Sequence, residues 1–348
     1  MLVKIGENLS KKNTWLVTAF IAIFMTVKIG IHPIGTGWID IVKVAYENLP
    51  NQANYMSTSP MPLFLYSFLG ASHALWWGFH LILFLAWSFF AIKFLFRKYP
   101  EYKILIALIF FGSPFWLSLL VFIGHYDLFT IGGASIAVFA RNKYVRTLGV
   151  VLAACTNPEQ AVVTSVLILL LSVTLGRLDI RKLGSLYLAI SAPIYLLVRM
   201  GIKPVGNTQR ISMITGELPE SIRTSFGIWT ILPLIVAGSM SILWFIFGHE
   251  LLGRRRLIAT ACVVFLIPGI FAFFISDKTR VGIAISAAVL MITWKIFLEH
   301  AQIHGLKPHI YYERIGLAVM LLVLTPSLYI DRLAEFRLPY KEFIDLFM

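Results

Sequence analysis

The sequence predicts an all-α fold, a polytopic transmembrane helical bundle of about 10–11 membrane segments. Three observations carry this. Of 348 residues, 58% are hydrophobic and 14% charged, whereas soluble domains hold about 45–50% apolar and about 25% charged residues. Apolar runs of roughly 18 residues or more recur from end to end, the length that crosses a hydrocarbon core of about 30 Å. The runs are continuous instead of alternating, which argues against a β-barrel.

The segments follow in order. The first helix is expected at 14–31, preceded by Lys11 and Lys12. No small-residue cleavage site follows it, so it reads as a retained helix and not a signal peptide. A second helix is expected at 73–96, after a short apolar piece at 61–70. The third, at 103–123, contains Gly112-Ser113-Pro114 and should kink there. The fourth is expected at 126–140. Residues 147–176 form one apolar stretch broken by Thr156-Asn157-Pro158-Glu159-Gln160, and read as two segments folded back at the proline. Later helices are expected at 184–200, 227–248, 256–275, 281–298 and 315–330. No repeat, low-complexity segment or soluble domain interrupts them, so residues 1–348 form a single membrane domain.

The net charge of +13 would suggest nucleic acid in a soluble protein. Here the cations fall between apolar runs, where they set topology and meet anionic lipid, so no nucleic-acid partner is expected. Lys4, Lys11, Lys12, Arg97, Lys98, Lys103, Arg141, Lys143, Arg146, Arg177, Arg181, Lys182, Arg254, Arg255, Arg256, Lys295, Lys307 and Arg314 all sort to one side. The positive-inside rule makes that side, and the N-terminus, cytoplasmic. The expected location is a bacterial inner or plasma membrane. The first outer loop is then 32–62 and the second 201–226. The connections 124–127, 156–160 and 276–280 and the tail from 331 also lie outside. Cys155 and Cys262 sit in apolar runs and imply packing, not a disulfide framework.

This sorting uses Lys and Arg alone, yet the outer set holds nearly every unusual polar motif. Trp38, Ile41, Val42 and Ala45 have the spacing of a short amphipathic helix at the interface. Asp40 would begin that helix, either as its cap or as a general base facing a cleft. Ser57 to Pro62 reads as a helix start whose hydroxyls could line a polar substrate site. In Gly124-His125-Tyr126-Asp127, three polar side chains occupy a very tight turn. Asp127 is read as an N-cap, or the turn as a binding element in which His125 holds a phosphate or assists proton transfer. Glu159 lies in a broken apolar stretch, where an ionisable residue points to substrate binding or to capping of the second half-helix. In 201–226, Lys203, Arg210 and Arg223 run against the charge bias; Arg210 suits a phosphate fork or a lipid headgroup. In Ser276-Asp277-Lys278-Thr279-Arg280, Lys278 and Arg280 would clamp phosphate, with Asp277 orienting Arg280. The alternative there is a solvated ion pair of little energetic worth.

This layout resembles the GT-C superfamily of membrane glycosyltransferases, which use polyprenyl-phosphate sugars. The likeness rests on Asp40 in a long outer loop after the first helix, the Ser-Pro-rich segment Ser57 to Pro62, and the turn Gly124 to Asp127. It spans roughly residues 14–280 in layout. Many members carry paired acids in the first loop, whereas here Asp40 stands alone and Glu47 is seven positions on. The resemblance implies inverting transfer at the outer face. Asp40 would be the base, and His125, Tyr126, Asp127, Glu159, Arg210, Lys278 and Arg280 would bind substrate. The implied partners are a polyprenyl-phosphate sugar donor, a lipid-linked or glycan acceptor hydroxyl, and membrane lipid, in the building of a glycolipid or cell-envelope glycan. Neither cofactor nor metal is called for. A lipid-linked saccharide flippase, an oligosaccharide polymerase and a membrane acyltransferase are the competing readings. The acyltransferase is weakened because no histidine-centred signature stands out. The sugar and acceptor are not encoded legibly.

Overall fold

A computed structural model describes residues 1–31, 36–70, 72–121, 123–204, 243–268, 270, 278–324, 329–330 and 336–337. Helices dominate: α1 (Leu2–Ser10), α2 (Thr14–Ile29), α3 (Thr36–Glu47), α4 (Pro60–Leu69), α5 (His73–Lys98), α6 (Lys103–Phe111), α7 (Pro114–Val121), α8 (Asp127–Phe139), α9 (Lys143–Thr156), α10 (Pro158–Leu175) and α11 (Leu178–Gly201). Residues 243–251 are helical, followed by Arg254–Ala261 with a π-turn at Cys262–Leu266, then Lys278–His304 and Pro308–Leu324. Starts are marked by Asn or Ser side chains that accept orphan amides. Asn13 caps α2, Ser72 caps α5, Asn142 caps α9 and Asn157 caps α10. α10 stops at Gly176, whose φ of +65° is a left-handed conformation that glycine adopts without strain.

Among the described residues, four helices are long and apolar enough to cross a membrane: His73–Lys98, Pro158–Leu175, Leu178–Gly201 and Gly282–His304. The pair Pro100–Phe111 and Pro114–Leu120, bent by 52°, makes a fifth if counted as one span. The bend falls at Gly112-Ser113-Pro114, as expected from the proline. The chain is therefore a helical membrane protein, but fewer of its described helices qualify as spans than the 10–11 read from the sequence. The helix expected at 227–248 and the end of that expected at 256–275 lie largely outside the described residues; for the others the physical reason is length. Thr14–Ile29, Pro60–Leu69 and Asp127–Phe139 are apolar but short. A helix of 13 residues rises only about 20 Å against a core of about 30 Å.

α2 displays the membrane pattern directly. Val17, Ile21, Met25 and Ile29 are buried, while Leu16, Phe20, Ile23 and Val27 on the opposite side are exposed. A helix apolar on both faces belongs in lipid. α6 is the centre of the bundle, with Ile104 to Phe111 buried on every side.

α9 and α10 do fold back at Pro158, and α8–α9 and α10–α11 pack as neighbouring pairs. The α8–α9 crossing is tight. A Cβ on Gly133 would lie 2.5 Å from the Gly149 carbonyl oxygen, and one on Gly149 2.6 Å from that of Gly133. Such small-residue crossings let helix backbones meet where lipid supplies no hydrophobic drive.

One end of the bundle carries the cations between helices. Lys98 pairs with Glu299 at 3.2 Å, the Tyr102 hydroxyl donates to the Ala301 carbonyl at 2.7 Å, and Arg314 pairs with Glu250. That end is the basic end of the bundle. The opposite end gathers the loops. Asn51–Gln52 pairs in parallel with Lys203–Pro204, and Lys28 Nζ donates to the carbonyls of Leu322 and Val323.

Candidate functional site

The site begins with α3. Ile39, Val42 and Ala45 are buried at 2%, 2% and 0% exposure. The amphipathic helix is therefore present, but its inner face is 39/42/45, with Ile41 only packed at the margin. The Trp38 side chain lies outside the described residues. The helix starts at Thr36, which places Asp40 in the second turn and removes the capping reading. Asp40 is exposed. Glu47, also exposed, ends the same helix two turns on, on the same side.

The loop after α3 folds back under it. Asn54 Nδ2 donates to the Ile41 carbonyl at 2.9 Å, and the Asn54 side chain accepts the Met56 amide. Ser57, Thr58 and Ser59 are buried. These hydroxyls are held in the packing around the start of α4, and Ser57 Oγ lacks a hydrogen-bond partner among the described residues.

The polar turn sits against this unit. Tyr126 shares one buried apolar cluster with Ile39, Val42, Ala45, Met56 and Trp76. Gly124 adopts φ +98°, which a side chain would strain, and its carbonyl accepts the Trp76 indole N–H at 2.8 Å. Asp127 is not the N-cap. It is the first residue of α8, after Tyr126 as cap. His125 does the capping, its Nδ1 lying 3.2 Å from the Asp127 amide nitrogen. The same Nδ1 is 3.2 Å from Asp127 Oδ2. It cannot serve both at once: Nδ1 without a hydrogen accepts the amide proton, whereas Nδ1 carrying one, in the neutral or the charged ring, donates to the carboxylate. Both side chains are at least nine-tenths buried.

Below the turn lies His80, a residue the sequence reading passed over. Its Nδ1 is 2.8 Å from the Trp76 carbonyl, its ring meets Phe129 edge-on, and its Nε2 has no partner among the described residues. A histidine inside an apolar helix was the available signal.

Glu159 is in the first turn of α10, where its charge suits the helix dipole. It is also paired with Arg199 at 3.3 Å, each side chain about a quarter exposed (27% and 24%). Arg199 was missed because only the fold brings the last turn of α11 to the first of α10. A double-mutant cycle on Glu159→Gln and Arg199→Gln, read by denaturant unfolding in detergent, is expected to give a coupling of about 0.5–1 kcal/mol. A coupling near zero would leave Glu159 available to ligand.

Arg210 and Asp277 fall outside the described residues. Lys278 and Arg280 form the first turn of the Lys278–His304 helix, their side chains outside the described set. That helix contacts both α8 and α10. Asp40 and the His125–Asp127 turn are thus joined through one packed unit, and Glu159 lies at the same end of the bundle. Among the described residues, no cluster of His, Cys, Asp and Glu has the geometry of a metal site.

No family model, curated protein or solved structure matches this chain. The glycosyltransferase likeness accordingly rests on the motifs themselves.

Proposed function

We propose that the chain is a membrane glycosyltransferase. It would take a sugar from a polyprenyl-phosphate carrier and pass it, with inversion, to an acceptor hydroxyl of a lipid-linked glycan or polysaccharide at the outer face. The observation that carries this reading is the docking of α3: Asp40 is exposed on a helix whose inner face packs into the cluster holding Tyr126 of the buried polar turn. A carboxylate on a packed helix next to a buried polar turn is suited to general-base work.

In the proposed step Asp40 accepts the proton of the acceptor hydroxyl. The acceptor oxygen bonds to the anomeric carbon from the face opposite the phosphate. The carbon–oxygen bond to phosphate breaks, and polyprenyl phosphate leaves with the electron pair. A departing phosphate needs positive charge more than a proton. Lys278 and Arg280 open a helix, where free amides add to that charge, and Arg210 is the third candidate. Glu159 sits at a helix start tied to the end of α11; its depth in the membrane separates transfer from transport, because transporters place their ionisable sites near the bilayer midplane.

The test is an assay of the purified protein with labelled polyprenyl-phosphate sugars and a membrane lipid extract as the acceptor source. Label is expected to move into glycan product with equimolar release of polyprenyl phosphate. Movement of intact donor across a proteoliposome membrane without cleavage would instead establish the flippase and sink the transferase.

A further inference from the structure

The basic end contains a feature that sugar transfer at the other face does not use. A cavity of about 630 Å³ lies between α5, α6, α8 and the Lys278–His304 helix, within the roughly 300–1,000 Å³ of ligand pockets. Trp87, Phe110, Phe139, Met291, Trp294 and Leu298 are among its apolar walls. Phe90, Phe94 and Val145 also line it and are exposed on the outer surface of the bundle, so the chamber opens toward lipid. Its polar wall is confined to one end. Ser135 is engaged by the Trp87 indole at 2.9 Å, which leaves Arg141 and Asn142 at the mouth.

The charges at that mouth are unbalanced. Lys98, Arg141, Arg146, Arg177 and Lys295 face two carboxylates among the described residues, Glu299 and Asp179. Both carboxylates are already paired, with Lys98 and Arg177. Lys295 Nζ donates to the Val138 carbonyl and Arg146 Nη2 to that of Ala140. Arg141 is exposed. Two buried polar atoms there lack partners among the described residues, Arg146 Nε and the Tyr99 hydroxyl. Buried donors of this kind cost free energy unless something completes them.

An apolar chamber open to the bilayer, with surplus cations and unsatisfied donors at its headgroup end, has the chemistry of an anionic amphiphile. We propose that it binds an acidic phospholipid of the leaflet at the basic end, one acyl chain in the chamber and the phosphate at Arg141 and Arg146. Basic pockets between transmembrane helices recognise such headgroups by charge, and the chain adds apolar burial. The proposal is independent of the transfer reaction and stands if that reading fails.

The test is native mass spectrometry of the full chain in detergent, titrated with phosphatidylglycerol or phosphatidylcholine of identical acyl chains. Phosphatidylglycerol is expected to bind and phosphatidylcholine to be lost first. The Arg141→Ala/Arg146→Ala double variant should bind phosphatidylglycerol about thirtyfold more weakly. Ala91→Phe, which fills the chamber, should abolish the adduct while the lipid-free thermal midpoint stays at the wild-type value. Should that variant misfold, Ala86→Phe replaces it. Equal retention of the two lipids, or undiminished binding by the double Arg variant, overturns the site. So does displacement of phosphatidylglycerol by polyprenyl phosphate but not by further acidic phospholipid, which would assign the chamber to the donor's chain.

Discussion

Asp40→Asn is expected to lower sugar transfer by about 10²–10⁴-fold, the usual worth of a positioned general base, with the folded fraction unchanged. The second half of that expectation follows from burial. α3 is held by Ile39, Val42 and Ala45, not by Asp40, whose side chain is exposed and makes no hydrogen bond or ion pair among the described residues. Exposed substitutions of this kind usually change stability by less than about 0.5 kcal/mol. The amide keeps the shape of the carboxylate and removes only its ability to take a proton. Transfer rates with a saturating donor, beside thermal unfolding of both proteins, decide the matter. Activity within a few-fold of wild type would falsify the assignment. Glu47→Gln is the paired control. Glu47 lies on the same side of α3 but at its last residue, so a modest loss is expected. If Glu47→Gln abolished transfer and Asp40→Asn did not, the two carboxylates would exchange roles.

The fold was legible where one residue type dictates the backbone. Pro114 cannot donate to the preceding turn, and the 52° break falls there. Pro158 separates α9 from α10 for the same reason. α1 was not legible. Its nine residues are too few and too polar to signal a span. Its docking depends on Gly6 meeting the Tyr312 backbone and Gly316 meeting that of Leu2, pairs more than 300 positions apart. The site divides in the same way. Asp40 and the His125–Asp127 turn stood out because polar residues beside apolar runs are costly. Whether such a residue caps, pairs or stays exposed is decided by its neighbours in space. Asp40 proved to be beyond the helix start, Asp127 inside it, and Glu159 bound to an arginine 40 residues away.

The largest structural effect is expected at the α8–α9 crossing. Gly149→Ala should destabilise the protein by about 1–3 kcal/mol, as overpacking of a tight interior does, and Gly149→Leu should yield little folded protein. Helix propensity alone argues the reverse, because alanine is favoured over glycine in a helix by about 1 kcal/mol. Geometry overrides it. The new Cβ would lie 2.6 Å from the Gly133 carbonyl oxygen and 2.7 Å from the Ala137 amide nitrogen, both backbone atoms, where ordinary contact needs 3.4 Å or more. No side-chain rotation relieves such a contact, so the helices must separate. The consequence reaches the site, since α8 begins at Asp127 and α9 ends at Thr156, next to the Asn157 cap and Glu159. Parting the helices moves the His125–Asp127 turn away from the Glu159–Arg199 pair. Gly149→Ala is therefore expected to lower both the unfolding midpoint and transfer. Gly201→Ala, at the end of α11 with no atom within 4 Å of its Cβ position, should lower neither. A Gly149→Ala protein that unfolds at the wild-type midpoint would show that the two helices can part without cost, and the link from this crossing to the site would then be lost.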